Sequence, residues 1–167
     1  MTRMTRLRAQ RSIERRTEGS VTEYLAFRVA STKYALPVAV IREIARTAHV
    51  TPVPRAPSAV LGIMSFRGRV VTVIDVARQL DLACSVIPSS PTRLGGARMR
   101  VLMADIQGET LGLVVDEVLT VHRLANRDIE RPSTAVGSDV GAQIIGIARE
   151  RDDDEIIQLL EAKALVP

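Results

Sequence analysis

Polar and apolar residues alternate along much of this chain. In Glu23-Tyr24-Leu25-Ala26-Phe27-Arg28-Val29, the residues Leu25, Phe27 and Val29 fall on one side, the period of two of a half-buried strand. Ser31-Thr32-Lys33 supplies a turn, and Tyr34-Ala35-Leu36-Pro37 starts a second strand whose proline marks an edge or an exit. Val38 to Ile44 is short and apolar at mixed spacing and fits a helical turn leading into a third strand, which periodicity alone does not decide. Three prolines within Thr51–Pro57 remove three backbone donors, so that stretch is an ordered loop. Leu61–Phe66 and Arg69–Ile74 read as two strands joined at Arg67-Gly68, where Gly68 is free to take positive φ. Asp75 then caps a short helix, Val76–Leu82, by accepting from its first free amides.

Residues 84–97 are small and turn-forming, the pattern of a long loop or a link between barrels. Strands follow at Arg100–Ile106, Thr110–Val115 and Val118–Val121, the first two joined by a turn at Gln107-Gly108-Glu109. Asn126–Ser138 is polar and contains Pro132 and Gly137. Ile144–Ala148 and Ile156–Leu160 are late strands on either side of a charged turn, Arg149–Asp154, and Leu165-Val166 closes the chain. The fold class is mainly β, with nine or ten short strands and few helices. Closure into barrels removes exposed sheet edges, so two halves of about five strands, split near 84–97, are the expected architecture.

Composition narrows the core and the function. Of 167 residues, 46% are hydrophobic but only 2% are aromatic, so the core is aliphatic and a base-stacking nucleic-acid surface is not indicated. The net charge of +4 is carried by residues 1–22, where Arg3, Arg6, Arg8, Arg11, Arg15 and Arg16 face only Glu14 and Glu18. The remaining body is neutral, and residues 1–22 read as a flexible basic arm. The single cysteine, Cys84, rules out an intrachain disulfide and fits a reducing compartment. No apolar run is long enough for a membrane span or a secretory leader, so the expected location is the cytoplasm.

Candidate chemistry is sparse. His49 and His122 are far apart in sequence, and Cys84 has no local partner to make it a thiolate. Asp152-Asp153-Asp154-Glu155 lacks the alternating ligand placement of a calcium loop and reads as a solvated hairpin turn. Leu94-Gly95-Gly96-Ala97 lacks a phosphate-loop pattern. No catalytic, cofactor or metal site is expected, which points to a binding module rather than an enzyme.

Four pieces in order carry a resemblance. They are Tyr34-Ala35-Leu36-Pro37 with Val40-Ile41-Arg42-Glu43-Ile44; Pro54-Arg55-Ala56-Pro57 with Gly62-Ile63-Met64-Ser65-Phe66-Arg67-Gly68; Val73-Ile74-Asp75; and Gly112-Leu113-Val114-Val115-Asp116-Glu117-Val118. Ile145-Gly146-Ile147-Ala148 and Ile156-Ile157-Gln158-Leu159-Leu160 match in position. Over residues 23–166 the chain resembles the CheW-like family, the bacterial chemotaxis coupling proteins and the related terminal domain of the CheA kinase. It departs from that pattern at Ser65-Phe66, where Asn-Leu is usual, and at Thr72, Val76 and Asp81, where Pro, Leu and Gly are usual.

The resemblance implies two intertwined five-stranded SH3-like barrels and a cytoplasmic adaptor recruited to membrane receptor arrays. Its partners would be a CheA-type histidine kinase, through that kinase's own CheW-like domain, and the cytoplasmic tip of chemoreceptors. The partner-binding positions it implies are Ile41, Glu43, Gly62, Arg67, Gly112, Val118 and Val121. The glycines can equally make turns, and Ile41, Val118 and Val121 can equally be core. Arg67 is expected either at an exposed turn or tucked between the barrels. Two other functions fit the chain: a small-barrel nucleic-acid binder using the Arg-rich arm, and a regulator of a non-chemotaxis histidine kinase.

Overall fold

A computed structural model describes residues 20–82, 92–95, 97–131, 143–149 and 154–167. The Arg-rich arm up to residue 19, Cys84, most of the 84–97 segment, Pro132, Gly137 and Asp152-Asp153 lie outside them. In chain order the strands are β1 (Val21–Val29), β2 (Thr32–Pro37), β3 (Ile41–Ala45), β4 (Thr47–Val50), β5 (Val60–Phe66), β6 (Arg69–Asp75), β7 (Thr92–Gly95), β8 (Arg100–Ile106), β9 (Glu109–Val115), β10 (Glu117–Ala125), β11 (Ile144–Arg149) and β12 (Ile156–Leu160). Val38–Val40 is a single 3-10 turn feeding β3, the helical turn into a third strand that the sequence allows. Val21 and Thr22 pair with Ala125 and Leu124, so β1 takes the last two residues assigned to the arm.

The helix α1 spans only Val76–Gln79, shorter than the expected Val76–Leu82. Asp75 caps it as expected, accepting from Ala77 N at 3.0 Å and Arg78 N at 3.4 Å. Its end is a Schellman turn: Leu82 N donates to Ala77 O and Asp81 N to Arg78 O. That turn requires a left-handed residue, and Asp81 fills the place at φ +54°.

Two five-stranded sheets form, ordered β10-β1-β2-β12-β11 and β3-β8-β9-β6-β5. We call the first barrel A and the second barrel B. In each barrel an isolated backbone bridge links an end strand of the sheet to the chain that follows the strand at the other end. In barrel B, Thr51 and Ile63 exchange two hydrogen bonds of 2.8 Å, and in barrel A, Glu130 and Ile147 exchange bonds of 2.8 and 2.7 Å.

The chain does not divide into one barrel before the 84–97 segment and one after it; the two barrels are intertwined. β6 and β8, on either side of the 84–97 segment, belong to the same sheet. The halves repeat along the chain, but each half gives its hairpin to one barrel and its next three sheet strands to the other. Hairpin β1-β2 pairs with β10 and β12, and hairpin β8-β9 pairs with β3 and β6. The two sheets superimpose residue for residue in their pairing. Val118 pairs with Phe27 where Ile41 pairs with Ala104, Val121 with Leu25 where Ile44 pairs with Leu102, and Gly146 with Leu159 where Gly62 pairs with Val73.

This exchange explains why the strands read as nearly continuous apolar runs. Alternate residues face a barrel interior, such as Val101 and Met103 in barrel B or Ala26 and Ala35 in barrel A. The residues between them, such as Leu102, Ala104, Phe27 and Leu36, meet in the seam between barrels. Among the described residues the seam holds 16 buried residues against 9 and 7 in the interiors, so it is the largest core of the molecule. Burial on both sheet faces is what erases a clean polar face.

Candidate interaction surface

The hairpin between β5 and β6 is exposed from Arg67 to Val70. Phe66 and Arg69 are paired, leaving a two-residue loop in which Arg67 has φ +48° and Gly68 φ +77°. Positive φ at both central residues is the type I′ geometry, whose twist matches that of the flanking strands. The turn throws the Arg67 side chain outward, where it is 73% exposed. Its Nε donates to Glu43 Oε2 at 3.0 Å and its Nη2 donates to the same oxygen, while the guanidinium stacks 5.5 Å from the Phe66 ring. Glu43 is on β3 and Arg67 beyond β5, at opposite ends of one sheet. The pair therefore ties barrel B to itself, and Arg67 is not tucked between the barrels.

Beside this pair lies a groove of about 610 Å³, lined among others by Ala45, Ile63, Met64, Phe66 and Val70. Val70 is 74% exposed, the most exposed of the large apolar residues described. The equivalent position in barrel A is Ile156, since Val70 pairs with Ser65 and Ile156 with Arg149, each three residues past the respective glycine, Gly62 or Gly146. Ile156 is also exposed. Ile44 and Val121 form a second equivalent exposed pair on β3 and β10. Four exposed apolar side chains thus come as two matched pairs, one member on each barrel.

The seven sequence-derived positions separate into three groups. Glu43 and Arg67 are brought together at the surface, and Val121 is exposed on β10. Ile41 and Val118 are equivalents, half-buried against the seam. Gly62 and Gly112 are buried. A Cβ on Gly112 would lie 3.2 Å from Val101 Cγ1, and one on Gly62 would lie 2.2 Å from Thr51 O, where φ is already +147°. These two glycines shape barrel B and offer no surface to a partner. Val70, Ile44 and Ile156, which are exposed, and Phe66, which lines the groove, are not among the seven. The signal for Val70 was present, because it is the apolar residue out of phase with Val71 and Val73 right after a tight turn.

At the mouth of barrel A, Glu155 accepts from Lys33 Nζ at 2.7 Å and from Arg28 Nη1 at 3.1 Å. Hydrogen bonding to Lys33, then to Arg28, holds its carboxyl below the usual carboxylate range. Burial raises the Tyr24 and Tyr34 hydroxyls, the latter offset in part by a hydrogen bond with Thr32. His49 is exposed on β4 and His122 is half-buried on β10. Among the described residues no three His, Cys, Asp or Glu side chains converge on a point that could hold a metal ion. No described helix is long and apolar enough to cross a membrane.

A family profile described as the CheW-like domain matches residues 23–167. The chain belongs to the CheW-like family. It is 31% identical over 117 residues to the chemotaxis protein CheW of Rhizobium meliloti (strain 1021), covering 70% of each chain. It is 30% identical over 145 residues to protein FrzA of Myxococcus xanthus, covering 86% of this chain and 84% of that one. Among solved structures it matches the scaffolding protein TtCheW from Thermoanaerobacter tengcongensis at TM-score 0.72 and 25% identity, over 85% of this chain and 90% of that one. As a CheW-like protein the chain is a scaffold of chemotaxis-type signalling and not an enzyme. Of the three readings the sequence allowed, the nucleic-acid binder is not favoured. Asp81, one of the departures noted from the sequence, occupies the left-handed position of the Schellman turn.

Proposed function

We propose that this CheW-like protein bridges chemoreceptors to a CheA-type histidine kinase in the cytoplasm, beneath a membrane receptor array. The kinase's CheW-like domain docks on the barrel faces marked by Val70 and Ile156. The receptor's helical hairpin tip docks along the seam, near Ile41 and Val118. The observation that carries this reading is the matched exposure of Val70 and Ile156 on two barrels of one body. Exposed apolar side chains in equivalent places suit partners of one fold, and two such faces allow simultaneous binding. Simultaneous binding raises the effective concentration of kinase at the receptor without any new contact. A receptor then biases the kinase to the extent that its states differ in contact energy through this bridge.

The test is ternary assembly from purified full-length chain, receptor cytoplasmic fragment and cognate kinase. Val70→Asp should reduce kinase recovery and leave receptor recovery unchanged. Loss of receptor and kinase together in a folded variant, or loss of neither, would refute separate docking faces.

A further inference from the structure

The mouth of barrel A contains a charged cluster that the docking reading does not use. Ala26, Ala35, Ile157 and Leu159 face the interior of this barrel. Arg28, Lys33 and Glu155 each stand two residues along from one of them, so strand alternation puts all three on the interior side at the end of the barrel. Arg28 pairs with Lys33 across the β1-β2 hairpin, and Lys33 pairs with Ile157 in the parallel ladder. Lys33 is buried, its side chain 7% exposed, and Glu155 is bound to it and to Arg28 at once.

This arrangement matters because the sequence of β12 is nearly degenerate. Ile156-Ile157-Gln158-Leu159-Leu160 places two apolar residues inward in either phase: Ile157 and Leu159, or Ile156 and Leu160. A one-residue slip exchanges every side chain between the two faces of a strand. Glu155 breaks the tie. With its carboxylate drawn inward to two cations, Ile157 follows it inward and Ile156 is turned out.

We infer that Glu155 is a positioning residue: held between Lys33 and Arg28, it fixes the register of β12 and so presents Ile156 to a docking partner. The last step rests on the reading of Ile156 as a docking residue. The probe is the purified CheW-like domain of the cognate kinase, titrated against the full-length chain carrying Val70→Asp, which leaves the Ile156 face alone. In that background Ile156→Asp weakens binding about tenfold or more, as expected for a buried apolar anchor. Glu155→Gln weakens it about five- to tenfold, and adding Ile156→Asp to it costs less than in the parent, because contacting or coupled residues are not additive. Glu155→Asp, which keeps the carboxylate, recovers part of the affinity.

Amide exchange at Ile156 and Ile157, measured without any partner, accelerates in Glu155→Gln and recovers in Glu155→Asp. Unchanged exchange at those amides overturns the pin. Additive losses in the double variant overturn its action through Ile156. An Ile156→Asp variant that binds like its parent overturns the docking face instead, and leaves the exchange measurement to decide the pin.

Discussion

Replacing Gly62 by alanine should open barrel B. Gly62 is next to the bridge where Thr51 and Ile63 exchange two hydrogen bonds, and that bridge ties β5 to the chain leaving β4. An added Cβ would lie 2.2 Å from Thr51 O, 2.7 Å from its carbonyl carbon and 2.8 Å from Val50 Cγ1. The first two are backbone atoms, so no rotamer change can relieve the clash. The φ of +147° is a second penalty, because L side chains rarely adopt it. Two lost hydrogen bonds amount to about 1–3 kcal/mol, and a strained backbone residue adds about 1–3 kcal/mol, giving roughly 2–6 kcal/mol in total. Total stability for a domain is about 5–15 kcal/mol, so this is a large share of it. A loss of ~4 kcal/mol lowers Tm by about 8–16 °C in a chain of this size. Urea unfolding gives the free energy, and amide exchange at Thr51 and Ile63 reports the bridge. A loss under about 1 kcal/mol with both amides still protected would refute the account. Weakened partner binding in this variant would follow from barrel distortion, since Gly62 is buried.

Gly146→Ala meets a side chain instead, Ile129 Cγ2 at 2.4 Å, and should cost about 1–3 kcal/mol, most of it recovered when Ile129→Ala is added. Asp81→Gly relieves the left-handed residue of the Schellman turn and should raise stability by about 0.5–1 kcal/mol, read by thermal unfolding. Arg67→Ala removes an exposed ion pair, so it should change stability by less than about 1 kcal/mol while weakening ternary assembly in a pull-down. The pKa of Glu155 is depressed below the ordinary 4.5, so its pairing supports the fold above that value and is lost as pH falls below it. Glu155→Gln should therefore flatten the pH dependence of urea stability on the acid side of 4.5.

Strands with one clear turn between them were legible in the sequence, such as β5-β6 around Arg67-Gly68 and β8-β9 around Gln107-Gly108. So was the Asp75 cap, because a carboxylate before an apolar run has a local mechanism. β4 and β7 were not legible. Thr47–Val50 is too short to show alternation before the prolines begin, and Thr92–Gly95 is built from residues that also favour turns. The exchange of hairpins was not legible in the hydrophobic pattern, and only the resemblance implied intertwined barrels: periodicity tells which side of a strand is buried, and says nothing of which strand lies beside it. The same limit hid the Glu155 cluster, whose Arg28 contact spans 127 residues. In Ile156-Ile157 the pattern itself was ambiguous.

The exchanged hairpins also set the timing of folding during synthesis. Lys33 finds its ladder partner Ile157 only 124 residues later, position 157 against 33. At ~5–20 residues per second, the β1-β2 hairpin waits about 6–25 s after leaving the ribosome before barrel A can close. During that wait Leu25, Phe27 and Leu36, all buried in the finished seam, face water. The hairpin β8-β9, by contrast, emerges after β3, β5 and β6 are already available to receive it. Barrel B can therefore assemble first and offer the seam surface on which the older hairpin settles, so the hairpin made first is the one completed last.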